Sequence, residues 1–256
     1  MTTVSIITTC FNRNSTIGEV IESVLSQDYP AIEYIVVDGA SSDGSVDIIN
    51  QYKDKITTFI SEKDNGMYEA INKGIRMAKG DLIGLLHSDD TFYDNHVVSR
   101  IVERFEQTGC DFIYGNGLFV DQDNTAKVVR DWIGGGYKKW KIRWGWHPLH
   151  PTCYIRRSVI EQKGLYDEKY KIASDTDFLV RYLKDGDLKV EYLKEYIVKM
   201  RMGGLSTDKK RRDQVWKEDT QIYHHYGFHG HIIKMFKMAW KIPQFLRPKV
   251  KRYHLS

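Results

Sequence analysis

A chain of 256 residues, 41% hydrophobic and 28% charged, is long enough for one large α/β domain and has the balance of a soluble globular protein. A formal charge of +4 is too small to argue for nucleic acid, and no nucleic-acid partner is expected. Cys10, Cys110 and Cys153 form no CxxC pair, MTTVSIITT lacks a secretory pattern, and no run nears the roughly 18 apolar residues of a membrane span, so a reducing cytoplasm is the expected compartment.

Strand and helix signals alternate over the first hundred residues. Val4-Ser5-Ile6-Ile7 reads as a strand. Thr16 and Glu19 have capping-box spacing, and Ile17, Val20, Ile21, Val24 and Leu25 follow at the spacing of an amphipathic helix. Tyr34-Ile35-Val36-Val37 is a strand ending in Asp38, and Ser42 or Asp43 opens a helix reaching about Tyr52. Ile56 to Ile60 is a third strand, and a helix from about Gly66 to Ala78 stops at Gly80. Leu82 to Leu86 is a fourth, followed by a helix from about Asn95 to Phe105 that Gly109 ends.

Such alternation implies right-handed crossovers and a mostly parallel sheet flanked by helices. In these sheets the ligand crevice lies off the carboxyl ends of the strands. Asp38, Asp64-Asn65-Gly66 and Ser88-Asp89-Asp90 each follow a proposed strand and should meet on one edge. Carboxylates there suit a hard cation such as Mg²⁺ or Mn²⁺, which also binds substrate phosphate. The bland reading is that Asp89 and Asp90 cap the next helix. There is no GxGxxG at the first turn and no GxxxxGK[ST], which disfavours a dinucleotide fold and a P-loop.

The second half is less regular. Phe112-Ile113-Tyr114, Lys127-Val128-Val129 and Cys153-Tyr154-Ile155 look like strands, and Asp175 to Leu183 is helical with Gly186 at its stop. Gly134-Gly135-Gly136 and Trp140–Trp146 read as a loop over a site, where Trp140, Trp144 and Trp146 either stack on sugars or pack internally. The chain divides into 1–226, with halves 1–110 and 111–226, and a basic segment 227–256. From Gly230 to Ser256 there are seven Lys or Arg and no Asp or Glu. Ile232, Ile233, Phe236 and Trp240 share a helical face among Lys234, Lys237 and Lys241. That pattern suits an anionic membrane surface, or else a helix docked on the core with its lysines in solvent. Lys209-Lys210-Arg211-Arg212 form a second basic cluster.

Five segments, VSIITTCFN at 4–12, VVDGASSDGS at 36–45, DNGMYEAINKG at 64–74, LLHSDD at 85–90 and IASDTDFLVRYL at 172–183, fall in the order found in family 2 glycosyltransferases, and the chain resembles that family over roughly residues 3–205. The resemblance implies a single GT-A domain and an inverting, metal-dependent enzyme. It would move a sugar from a nucleotide-sugar donor, UDP-linked, to a saccharide or lipid-linked saccharide in cell-surface glycan synthesis. Its place would be cytoplasmic, at the inner face of the plasma membrane.

Carried over by position, Asp90 would hold the metal and Asp89 would face the ribose or diphosphate, with Ser88 where the family has its first Asp. Thr9, Phe11 and Asp38 match positions that hold the base and ribose, with Gly39 where a second Asp is common. Asp64 and Gly66 would border the nucleotide, and Lys73 would meet the diphosphate or form a surface salt bridge. Asp175 matches the general base. Asp177, about 200° further round the helix, would cap it or pair with Arg181. His150, Gly203 and Gly204 would border the acceptor or diphosphate. A sugar-phosphate nucleotidylyltransferase and a non-catalytic nucleotide- or glycan-binding module remain the rival readings.

Overall fold

The computed structural model describes residues 1–203, 212–251 and 253. The early segments fold as their periodicities predict. Strands β1 (Val4–Cys10) and β2 (Ile32–Asp38) alternate with helices α1 (Ile17–Leu25) and α2 (Ser45–Asn50). Then come β3 (Thr58–Ser61), α3 (Met67–Met77), β4 (Leu82–Leu85), β5 (Asp90–Phe92) and α4 (Val97–Thr108). The second half holds β6 (Phe112–Val120), β7 (Val128–Trp132), α5 (Lys139–Arg143), β8 (Tyr154–Arg156), α6 (Arg157–Lys163), α7 (Ser174–Leu183), β9 (Val190–Arg201), α8 (Arg212–His225) and α9 (Gly230–Val250).

Among the described residues, nine strands form one sheet in the order β3-β2-β1-β4-β8-β6-β9-β5, with β7 on β6. The run β3-β2-β1-β4 is parallel. Beyond it β8 joins β4 and β6 antiparallel, β9 joins β6 parallel, and β5 joins β9 antiparallel. The parallel half is therefore the βα repeat read from the sequence, and the mixed half comes from the irregular remainder.

The sheet is covered on both sides, as parallel strands require. Side chains alternate in β1 and β2. Val4, Ile6, Tyr34 and Val36 join the cluster with α1 and α4, while Ile7, Ile35 and Val37 join the one with α3 and α7. Ile17, Val20, Ile21 and Val24 of α1 are fully buried, each worth about 1.5–3 kcal/mol of transfer free energy. Two close approaches need glycine. A Cβ on Gly74 would lie 2.4 Å from Ile7 Cγ2, and one on Gly84 2.2 Å from the Tyr154 ring. Gly74 lets α3 settle on β1, and Gly84 lets β8 close on β4.

The capping box at Thr16 does not form. Thr16 Oγ1 donates instead to the Ser88 carbonyl at 2.7 Å, and Glu19 pairs with Arg201. Thr16 ties the start of α1 to the turn before β5, and Glu19 ties it to β9, rather than to its own first turn. The three cysteines are buried free thiols. Among the described residues, no helix is long and apolar enough to cross a membrane.

Helix α9 packs on β7 and α8. It is docked on the body, one of the two arrangements read from the sequence, but Lys237 is turned inward. Ile233, Lys237 and Gln244 point inward and are buried, while Ile232, Met235, Met238, Ile242 and Leu246 are exposed. Lys234 is exposed, as the docked-helix reading expects of its lysines. Lys237 instead finds a buried carboxylate, Asp219, at 2.8 Å. The basic cluster at 209–211 lies outside the described residues.

Candidate active site

The carboxyl ends of the parallel strands bring the early motifs together. Register pairs Cys10 with Asp38 and Asp38 with Ser61. Asp38 is fully buried and accepts from Ser41 N (2.9 Å), Ser41 Oγ and Ser61 Oγ (2.7 Å). Its carboxylate thus organises the loop after β2. Phe11 stands 60% exposed beside it. A Cβ on Gly39 would lie 3.3 Å from both the Phe11 ring and Asp64 Oδ2, so an aspartate side chain there would crowd both. Asn12 (φ 52°) and Ala40 (φ 60°) adopt left-handed backbone on this edge, a strain that clusters at ligand sites. Thr9 is buried at the end of β1.

Asp64 and Lys73 form an ion pair at 2.5 Å, and Lys73 also meets Glu62 at 2.7 Å and Glu69 at 3.6 Å. Asp64 first, and Glu62 second, raise its pKa. Lys73 is thus engaged within the protein, in the salt-bridge arrangement weighed from the sequence. Burial raises the Asp64 pKa although Lys73 opposes it, and Asp64 Oδ2 has no hydrogen-bond partner. Gly66 takes φ +141° where the chain turns into α3.

The HSDD segment turns tightly, with Asp90 N donating to the His87 carbonyl at 3.0 Å. Asp89 and Asp90 are not helix caps. α4 starts later, at Val97, and its lead-in is held by Asp94 Oδ1 accepting from His96 N at 2.9 Å. Asp90 instead opens β5 opposite Met200. Its Oδ1 accepts weakly from Arg201 N at 3.3 Å, and its buried Oδ2 has no partner. Burial, and then the neighbouring Asp89, push its pKa well up. An orphaned buried carboxylate oxygen is what a cation would satisfy. Among the described residues no three His, Cys, Asp or Glu converge on one metal position. That donor set fits Mg²⁺ or Mn²⁺, which takes one or two protein carboxylates and draws its other ligands from substrate phosphate and water.

The other wall is built by α7. Asp175, part-buried in its first turn, accepts from Thr176 N at 2.8 Å through Oδ1. Its Oδ2 accepts no hydrogen bond among the described residues. Burial first, and Asp219 second, raise its pKa to about 6, with Lys237 opposing. The lead-in to α7 is clamped. Glu218 Oε2 accepts from Ile172 N (2.9 Å) and Ala173 N (3.0 Å), and Tyr68 OH donates to the Ile172 carbonyl at 2.7 Å. Asp177 points elsewhere, to Arg181 (3.5 Å) and Tyr226 OH (2.8 Å), as its position on the helix predicted.

His150 is buried beneath this wall, with Nε2 against Tyr166 OH at 2.5 Å. Burial, then the nearby His87, keeps its pKa well below the ordinary value, so the ring is neutral. Contact with an acceptor or diphosphate would require this bond to open. Trp146 is buried against Tyr114, whereas Trp140 and Trp144 are exposed, and Trp144 meets Phe236 of α9 edge-on at 4.5 Å. Gly203 takes φ +106° beside Gln122, and Gly204 lies outside the described residues. Sequence reasoning missed Glu218, Asp219 and Tyr68. No local pattern marks them, because their partners belong to other elements.

A parallel half-sheet with carboxylates on its carboxyl edge, continued by a mixed half-sheet, with Asp175 at the start of α7 beside Tyr68 of α3, has the architecture of a GT-A nucleotide-sugar transferase. Glycosyl transferase family 2 matches residues 5–164, and the chain belongs to that family; it is a glycosyltransferase. An uncharacterized glycosyltransferase of Mycobacterium tuberculosis is 34% identical over 181 residues, covering 70% of this chain and 68% of that protein. A PGL/p-HBAD biosynthesis glycosyltransferase of Mycobacterium bovis is 25% identical over 207 residues, covering 79% and 78%. Among solved structures, S. aureus TarS 1–349 in complex with UDP-GlcNAc superposes with a TM-score of 0.69 at 16% identity, over 93% of this chain and 71% of that one. The mannosyltransferase PcManGT from Pyrobaculum calidifontis, in complex with GDP-Man and Mn²⁺, gives 0.68 at 14% identity, over 96% and 74%. These likenesses establish the GT-A fold.

Proposed function

We propose that the protein is an inverting glycosyltransferase that moves a sugar from a nucleotide-sugar donor, UDP-linked, to a hydroxyl of a saccharide or lipid-linked saccharide acceptor in cell-surface glycan synthesis. The observation that carries this is Asp175, a carboxylate with one free oxygen and a pKa raised to about 6. A carboxylate tuned toward neutrality is a better general base for an alcohol than an ordinary one, a role worth about 10²–10⁴ in rate. The acceptor oxygen bonds to the anomeric carbon as the bond from that carbon to the diphosphate oxygen breaks. The electron pair leaves with the nucleoside diphosphate, and the hydroxyl proton passes to Asp175 Oδ2. Attack opposite the leaving group inverts the anomeric configuration.

On the donor side Thr9, Phe11 and the loop held by Asp38 would receive the nucleoside. Asp64, Gly66 and Ser88 would border it, and Asp89 would face the ribose or diphosphate. Asp90 would hold Mg²⁺ or Mn²⁺, which when bound supplies positive charge against the departing diphosphate. Lys73, enclosed by carboxylates, is a weaker candidate for that charge. The test is Asp175→Asn. Turnover should fall by at least 10³ while UDP affinity stays within twofold. Loss of UDP binding with the fold intact would remove Asp175 from the role of base.

The outward face of α9 supports a peripheral seat at the cytoplasmic face of the membrane. Met235 (67% exposed), Met238, Ile242 (59%) and Leu246 form an apolar stripe, on a segment that carries basic but no acidic residues. Such a helix suits the interface of an anionic bilayer. Pairing with a second copy would bring two basic segments together with no carboxylate between them.

A further inference from the structure

Helix α3 starts at the proposed donor edge and carries two adjacent stripes of polar side chains. Glu69 and Lys73, four residues apart, share the first. They fasten the loop before the helix, Glu69 Oε2 accepting from Asn65 N at 2.7 Å and Lys73 pairing with Asp64 at 2.5 Å. Tyr68 and Asn72, one residue earlier and about 100° round the helix, form the second. Both are buried, and both reach the segment that runs from Tyr166 into α7.

The Tyr68 hydroxyl donates to the Ile172 carbonyl at 2.7 Å, and its oxygen accepts from Asp175 N at 3.4 Å. Ala173 opens α7 and offers no side-chain cap, so a first-turn amide that the helix cannot satisfy is met from α3. Asn72 grips Tyr166 from both sides. Its Oδ1 accepts from Tyr166 N at 3.0 Å, and its Nδ2 donates to the Tyr166 carbonyl at 2.9 Å and to Glu168 Oε1 at 2.8 Å. The Tyr166 ring stacks on Tyr68 (5.8 Å, 16°) and on Phe178 of α7 (4.1 Å, 4°). Phe178 lies three residues after Asp175, on the same side of α7. One helix of 11 residues thus holds the loop of Asp64 by one stripe and the backbone of Asp175 by the next. Rigid elements joined by buried hydrogen bonds are what carries coupling between sites.

We propose that Tyr68 and Asn72 are positioning residues through which α3 couples a nucleotide at the Asp64–Gly66 loop to the placement of Asp175. The inference rests on the glycosyl-transfer reading of both places. A bound donor steadies the wall that carries the base, and an empty donor site leaves that wall looser.

The test is amide hydrogen exchange of the full chain, read by mass spectrometry, with Mn²⁺ and with UDP or GDP, whichever calorimetry shows to bind. Saturating nucleotide should slow exchange at 166–176 at least threefold and leave α4 unaltered. Tyr68→Phe keeps the ring and removes only the hydroxyl. Asn72→Asp keeps the acceptor and removes both donated bonds. Each should bind nucleotide within twofold of the wild type and lose the slowing, with urea unfolding to verify its fold. In turnover, kcat counted per nucleotide-binding site should fall at least tenfold in each, with donor KM within twofold. Slowing that persists in a variant, or kcat that does not fall, overturns the assignment of that residue. Nucleotide that binds the wild type without slowing 166–176, or that slows the whole chain alike, overturns the coupling and leaves the glycosyl-transfer reading in place. Binding of neither nucleotide removes that reading, and the inference falls with it.

Discussion

Asp175, the proposed base, shows a cost to the fold. Its folded-state pKa of about 6 lies above the ordinary 3.8, so the folded chain holds this proton more tightly than the unfolded one. The stability tied to it is fully present below pH 3.8 and is lost as pH rises through 6. Asp175→Asn should therefore be more stable than the wild type at pH 7.5 by about 1–3 kcal/mol, after allowance for solvent screening. At pH 3.5 the difference should vanish. Urea unfolding at both values checks this, and an equally stable variant at pH 7.5 would argue against a raised pKa. With Asp175 as the proposed base, kcat should rise with pH through about 6.

Asp90 carries the complementary prediction. Its unpartnered Oδ2 should give Mn²⁺-dependent binding of a nucleoside diphosphate. At 100 times its Kd the ligand raises stability by about 2.7 kcal/mol. UDP with Mn²⁺ should raise the melting temperature of the wild type and leave Asp90→Ala unmoved. A shift of the same size in the variant would place the cation elsewhere.

Among elements, α8 has the least visible role. It makes no part of the proposed donor edge, yet Glu218 holds the two backbone amides that lead into α7. These are charge-assisted bonds, stronger than neutral ones. Glu218→Gln should loosen the lead-in and displace Asp175. Since misplacement by about 1 Å can cost 10² in rate, kcat should fall by about 10–100-fold with UDP affinity unchanged. Unaltered kcat would show that the helix holds Asp175 without this clamp. The Thr16–Ser88 bond acts in the same way on the donor side, anchoring α1 to the turn that presents Asp89 and Asp90.

At the scale of the whole molecule, α9 has opposite chemistry on its two sides. Lys237, Gln244 and Ile233 face the body while Met235, Met238, Ile242 and Leu246 face out, so its exposed side is more apolar than that of an ordinary surface helix. The exposed stripe predicts sedimentation with vesicles containing phosphatidylglycerol, weaker with pure phosphatidylcholine. The double variant Met235→Gln and Ile242→Gln should lower partitioning at least fivefold. A wild type that ignores both vesicles but elutes as a dimer would assign the stripe to a second copy.

The sequence by itself determined the parallel half of the sheet, the order of the motifs and the edge on which they meet. Those features are local. Hydrophobic period separates strand from helix, and parallel strands joined by helices place all their carboxyl ends together. It also placed Asp177 away from Asp175, since helix geometry alone decides that. Tertiary structure decided the rest. Thr16 and Glu19 have the spacing of a cap, but a distant turn and a distant strand compete for their side chains. Asp90 became the first residue of a strand because β9, more than a hundred residues later, offers an edge to pair with. The proton affinity of Asp175 depends on burial and on Asp219. The face that α9 turns inward depends on Asp219 and on Gly145, where a Cβ would lie 2.7 Å from Lys237 Cγ. Each is a long-range contact in a low-dielectric interior, where a single buried carboxylate outweighs the local pattern that would have left a lysine in water.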